Sequence, residues 1–137
     1  MKTVVLDSFA LLAYFEKEPG WRRVTTLLTE AAASKHSLEC TVVNWGEVYY
    51  ITERVYGREK ADVVLRVMDD LPISWIDVDR SLTRVAANFK LAGGLAYADC
   101  FAAALAYTKQ GPVVTGDSEF ARVEGKVSIE WLGGAGG

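Results

Sequence analysis

Five short apolar runs alternate along the chain with segments of helical periodicity: Thr3–Leu6, Leu38–Val43, Ile73–Val78, Val113–Thr115 and Val127–Trp131. Short runs that are mostly apolar, and rich in β-branched residues, suit strands covered on both faces. A helix between consecutive strands makes them parallel, because a tight turn can join only antiparallel ones. Asp7-Ser8 has the chemistry of a helix start, and the helix continues through Phe9, Leu11, Leu12 and Phe15. Pro19 suits the first turn of a second helix, with Trp21, Val24, Leu27, Leu28 and Ala31 on one face. Asn44 opens a third, carrying Trp45, Val48, Tyr49 and Val55 and stopped by Gly57. A fourth, Glu59 to Leu71, ends at Pro72. Asp79 caps a fifth that reaches Leu91 and ends at Gly93-Gly94, and Tyr97 to Lys109 is an alanine-rich sixth. The expected fold is one α/β domain over residues 1–132, a mostly parallel five-stranded sheet flanked by helices. Residues 133–137 form a glycine tail with nothing to pack, expected to be flexible.

Half of the 137 residues are hydrophobic, enough for one domain with its own core. The net charge of −3, from 15 basic and 18 acidic residues, excludes a basic coat protein. A nucleic-acid partner would need local positive charge instead. Cys40 and Cys100 are too few for a disulfide framework, and Cys100 in its alanine-rich run reads as a buried thiol. His36 is the single histidine and cannot form a histidine metal cluster. Carboxylates are therefore the available chemistry. Met1 to Phe15 has a lysine and then apolar residues, like a secretory leader, but Asp7 interrupts it. No run reaches the uncharged length of a transmembrane helix. A cytoplasmic location without membrane contact is expected.

Ligands of an open parallel sheet gather beyond the carboxyl ends of its strands. Asp7 follows the first strand, Glu47 lies in the first turn of the helix after the second, and Asp117 follows the fourth in Thr115-Gly116-Asp117. Asp99 lies in the first turn of the helix that leads into the fourth strand, and so starts at the same edge. Each acid has an ordinary structural use: Asp7 as a cap, Glu47 in a capping box with Asn44, Asp99 on a helix dipole, Asp117 in a turn. Their surroundings are unusual for that. Asp7 stands between Val4-Val5-Leu6 and Phe9-Ala10-Leu11, and no lysine or arginine occurs between Lys90 and Lys109 to partner Asp99. Acids gathered on one rim without basic partners raise one another's pKa, and a hard divalent cation relieves the conflict. Oxygen-only ligands select Mg²⁺ or Mn²⁺ over zinc. Such a site activates a water for attack on phosphorus.

The chain resembles PIN-domain proteins of the VapC toxin type. The segments that carry the resemblance are Val4-Val5-Leu6-Asp7-Ser8 with Leu11-Leu12-Ala13, and Asn44-Trp45-Gly46-Glu47-Val48-Tyr49-Tyr50. Further on come Leu95 through Ala106, Val113 through Phe120 and Ile129-Glu130-Trp131-Leu132. The resemblance implies a Mg²⁺- or Mn²⁺-dependent endoribonuclease, the toxin of a type II toxin–antitoxin pair. It implies that Asp7, Glu47, Asp99 and Asp117 form the catalytic, metal-holding quartet, with Thr115 as a supporting hydroxyl. Glu119 stands where the family sometimes has an extra acid, in a supporting place. It also implies an RNA substrate, a cognate antitoxin and a homodimer. Ala96 departs from the family, which often has serine or threonine before the third acid.

Arg22, Arg23, Lys90 and Arg122 are candidates to touch phosphate, and each also reads as a solvated surface charge. Trp21, Trp45, Tyr49 and Tyr50 suit either a stacking platform, an antitoxin groove or the core. Two other readings compete. One is a non-catalytic RNA- or protein-binding module on the same fold. The other is phosphotransfer through an aspartyl phosphate on Asp7. That chemistry needs a lysine following a later strand, whereas Lys126 precedes the last one.

Overall fold

The computed structural model describes residues 1–133. The elements are β1 (Thr3–Leu6), α1 (Ser8–Glu16), α2 (Trp21–Ala32), β2 (Ser37–Thr41), α3 (Val42–Tyr56) and α4 (Arg58–Asp70). They continue with β3 (Ser74–Ile76), α5 (Arg80–Ala92), α6 (Tyr97–Lys109), β4 (Val113–Thr115), a 3₁₀ turn (Ser118–Val123) and β5 (Ile129–Trp131). The strands form one sheet in the order β3-β2-β1-β4-β5. Every pairing is parallel, with Val4 beside Leu38 and Val5 beside Val113. The expected "mostly parallel" sheet is thus wholly parallel among the described residues.

The strand order reverses direction at β1. The chain steps from β1 outward to β2 and β3, then returns to the other side of β1 with β4 and β5. The crevice between the ends of β1 and β4 is the switch point where such sheets bind ligands.

Strand alternation builds a core on each face. Val5 and Val113 face α5 and α6, packing with Phe101, Leu105 and Phe120. Val4, Leu6 and Val114 face the other side, with Leu11, Val24, Leu27, Val48 and Met68. On α6, Cys100 through Ala106 are all buried, and their small side chains let this helix lie close to the sheet.

Several boundaries differ from those read in the sequence. β2 ends at Thr41, and Val42-Val43 belong to α3 rather than to the strand. The Thr41 hydroxyl accepts the Asn44 amide at 3.2 Å, so the cap overrides the strand preference of two valines. Asn44 therefore lies inside the helix and does not open it. Pro19 precedes α2 instead of entering its first turn. Gly20 is the N-cap, at φ +98, where a Cβ would also strike Leu132. β3 and β5 are shorter than the runs Ile73–Val78 and Val127–Trp131; at their starts the Ile73 and Val127 amides donate to the Leu71 and Val123 carbonyls instead of to a neighbouring strand. The 3₁₀ turn after β4 carried no periodic signal. Gly133 is an ordinary described residue, and the remainder of the expected flexible tail, residues 134–137, lies outside the described residues. No single helix among the described residues is long and apolar enough to cross a membrane.

Candidate active site

Asp7 leaves the end of β1 in an extended conformation and caps α1, its Oδ1 accepting the Ala10 amide at 2.8 Å. The residue is wholly buried, and Oδ2 has no hydrogen-bond partner. Burial pushes its carboxyl from the ordinary 3.8 up to about 7. The Thr115 hydroxyl and the Ala10 amide pull it down, and the charges of Asp99 and Asp117 push it up further.

Asp99 stands in the first turn of α6, buried among its alanines. It too is raised to about 7, by burial first and then by the charges of Glu47, Asp117 and Glu119. Asp117 caps the 3₁₀ turn, its Oδ1 accepting the Glu119 amide at 3.0 Å. The buried Thr115 hydroxyl accepts the Asp117 amide at 3.0 Å and so fixes the bend after β4. Carboxylate oxygens of Asp99, Asp117 and Glu119 all lie within 4.8 Å of one another.

The sequence-read acids thus gather on one rim, but unevenly. Asp99 and Asp117 form the tight group with Glu119, which the sequence had placed only in a supporting role. Glu47 acts on Asp99 through its charge, and Asp7 feels the charges of Asp99 and Asp117 in turn. Glu47 is partly buried, and its Oε1 accepts from the Ser8 hydroxyl at 2.8 Å and the Asn44 amide at 3.1 Å.

Ser8 and Asn44 are structural members of the site that sequence reasoning missed. Asn44 is wholly buried. Its Nδ2 also reaches the Ala98 carbonyl at 3.3 Å, and its Oδ1 accepts from the Thr41 hydroxyl at 2.6 Å. The signal was a polar amide one turn before Glu47, read as a helix start. The ordinary roles were real as well: Asp7 and Asp117 are both caps.

The four basic candidates for phosphate are largely committed elsewhere. Arg23 pairs with Glu130 through two bonds of 2.6 and 3.0 Å. Lys90 and Arg122 donate to the Leu95 and Gly94 carbonyls, both at the loop before α6. Arg22 lies over the Trp21 ring, 5.2 Å from its centroid. Of the aromatic candidates, Trp45 packs partly on the core while Tyr50 is exposed.

An arrangement of this kind fits a divalent cation on its own chemistry. Every donor is an oxygen, one buried carboxylate oxygen lacks a donor, and no lysine or arginine salt bridge involves Asp7, Glu47, Asp99, Asp117 or Glu119 among the described residues.

The model of the PIN domain family matches residues 4–126. No curated protein matches the sequence. Among solved structures, a chain of VapBC2 from Rickettsia felis, bound to a promoter DNA fragment, superposes with a TM-score of 0.73 at 15% identity. The match covers 95% of this chain and 98% of that one. DNA-bound VapBC from Salmonella typhimurium gives 0.72 at 18% identity, covering 95% and 98%. VapC20 of Mycobacterium tuberculosis, a sarcin-ricin loop cleaving toxin, gives 0.70 at 15% identity, covering 92% and 98%. The family model and the superpositions cover nearly the whole described chain, and it belongs to the PIN domain family.

Proposed function

We propose that this protein is a Mg²⁺- or Mn²⁺-dependent endoribonuclease of the VapC type, acting as the toxin of a toxin–antitoxin pair in the cytoplasm. The observation that carries the reading is the unpartnered, buried Oδ2 of Asp7 beside two carboxyls at the crevice between β1 and β4. Asp7, Asp99 and Asp117 would hold the ion, with Glu47 and Glu119 completing the acidic ring. A divalent ion there supplies positive charge for a phosphodiester and lowers the pKa of a water nucleophile.

The residues of the chain prepare that site. Thr115 fixes Asp117 through its amide, and Asn44 and Ser8 orient Glu47. Burial raises Asp7 and Asp99 to about 7, and a cation held between them would favour their charged forms. Structural likeness to a toxin described as cleaving the sarcin-ricin loop supports RNA as the substrate class.

Several of the similar structures are toxin–antitoxin complexes, which supports a cognate antitoxin as partner. A groove of about 480 Å³ between α1, α2 and α4, lined by Phe15, Trp21, Val63 and Val67, suits an apolar segment of such a partner. The family resemblance extends the proposal to a homodimer.

The test is cleavage of a structured RNA by antitoxin-free protein. Cleavage is expected with Mn²⁺ or Mg²⁺ and is lost in EDTA and in Asp99→Asn, with the fold of the variant intact. No cleavage with either metal would refute the reading, and RNA binding that survives EDTA without cleavage would favour a binding module.

A further inference from the structure

Phe9 is one of the apolar residues along the first helix, with Leu11 and Leu12, yet the residue is 41% exposed. It does not dangle. The ring lies against the backbone of Gly116, so closely that a Cβ on that glycine would collide with it. Gly116 stands between Thr115 and Asp117, and Phe9 stands two residues after Asp7. The ring therefore bridges the start of α1 and the segment between β4 and Asp117. A second exposed ring, Tyr97 at 47%, begins α6 two residues before Asp99 and is held edge-to-face on Phe101 at 5.0 Å.

Exposed aromatic surface costs free energy unless something covers it. Along the chain the Phe9–Gly116 contact is flanked by two acids, Asp7 two residues before the ring and Asp117 next after the glycine, where a protein interface core gathers apolar side chains instead. A nucleobase is flat, presents a π-face and stays attached to the phosphate beside it. Unpaired bases of single-stranded loops stack on such rings.

We infer that Phe9 is a stacking platform for an unpaired nucleobase adjoining the scissile phosphate, seated there by the missing side chain of Gly116. The inference rests on the ribonuclease reading for its ligand. Stacking is indifferent to base identity, so this subsite sets the position of the strand and leaves sequence choice to other contacts. Tyr97 offers a second ring for a neighbouring base.

The experiment compares wild type with Phe9→Ala, Phe9→Leu and Phe9→Trp on a hairpin RNA whose loop carries 2-aminopurine, a base whose fluorescence falls on stacking. In Phe9→Ala, KM is expected to rise between about 5- and 100-fold with kcat nearly unchanged, the range that loss of one base–aromatic stack produces. Phe9→Trp restores KM and the fluorescence quench, while Phe9→Leu, apolar but without a π-face, restores neither. Circular dichroism of Phe9→Ala should match wild type.

Wild-type KM and quench in both Phe9→Ala and Phe9→Leu would overturn the platform while the cleavage itself upholds the ribonuclease reading. The same result with weakened binding of a co-purifying protein would overturn it in favour of protein docking. If wild type binds and quenches the RNA without cutting it and Phe9→Ala loses the quench, base stacking on Phe9 stands while the nuclease reading fails. If wild type neither binds nor cuts RNA, both fall.

Discussion

The Ser8 hydroxyl donates to Glu47 Oε1 at 2.8 Å, joining the first turn of α1 to the first half of α3. Asn44 Nδ2 donates to the same oxygen and to the Ala98 carbonyl beside Asp99. One chain of hydrogen bonds thus links the three helices that carry or adjoin Asp7, Glu47 and Asp99. Both donors fall on Oε1, which orients the carboxylate as a whole. Ser8→Ala is expected to cost about 1 kcal/mol of stability. It should lower cleavage on the order of tenfold through a misplaced Glu47, measured side by side by denaturant unfolding and initial rates.

Asn44 has more to lose. It is wholly buried, and its removal takes the acceptor from the buried Thr41 hydroxyl and one donor from Glu47 Oε1. Asn44→Ala should destabilise the protein by roughly 1–3 kcal/mol, the cost of unsatisfied buried polar groups. The expected readout is a lower urea midpoint with an unchanged m-value.

The raised carboxyls make the metal-free protein sensitive to alkali. Asp7 and Asp99 have folded values of about 7 against an ordinary 3.8, so between those values the folded chain holds protons that the unfolded chain has released. Their stabilising contribution is greatest at the acid end of that window and is lost as pH rises through 7. In EDTA, Tm should therefore be higher at pH 5.5 than at pH 8. Asp7→Asn keeps a good capping side chain and removes the titration. It should raise Tm at pH 8, on the order of 5–10 °C, and much less at pH 5.5. Equal Tm for wild type and variant at pH 8 would contradict the burial argument.

Metal should act in the opposite sense. A cation that binds only the folded site adds stability in proportion to its free concentration over Kd, and protons compete for the same oxygens. Mn²⁺ should raise Tm more at pH 8 than at pH 5.5, and Asp99→Asn should abolish most of the gain. Calorimetry would show protons released on binding near pH 7.

Gly116→Ala tests the close approach after β4. The new methyl meets the Phe9 ring, so either the ring or the bend before Asp117 must move. Activity is expected to fall at least tenfold, and Gly116→Ala with Phe9→Ala should recover part of the lost stability, a coupling visible in a double-mutant cycle.

Much of this was legible in the residues. Uninterrupted apolar runs such as Val4-Val5-Leu6 announced strands buried on both faces, and α6 matched Tyr97–Lys109 end to end. Asp79 caps α5 as expected, accepting the Leu82 amide at 2.8 Å. Local preference misled where a cap or a tertiary contact outweighed it. Val42-Val43 look like strand, but the Thr41 cap draws them into a helix. Phe9 reads as one more apolar residue of the first helix, but it stays partly exposed and its ring lies on Gly116, a contact that nothing in the local sequence announces. The closeness of Glu119 to Asp99 was beyond reach because it depends on a 3₁₀ turn, which leaves no hydrophobic period to read.

Strand order has a further consequence, for the history of each molecule. β1 is the first strand made, yet its pairing with β4 waits until Val113 and Val114 exist. A chain still short of that point can carry Asp7, Glu47 and Asp99 without having to crowd them against Asp117. The crowding of negative charge is therefore deferred to the closing step, when the central strand gains its second neighbour. An unfinished chain carries Asp7, Glu47 and Asp99 without their companions, and the cluster of Asp99, Asp117 and Glu119 forms only with the last third of the sequence.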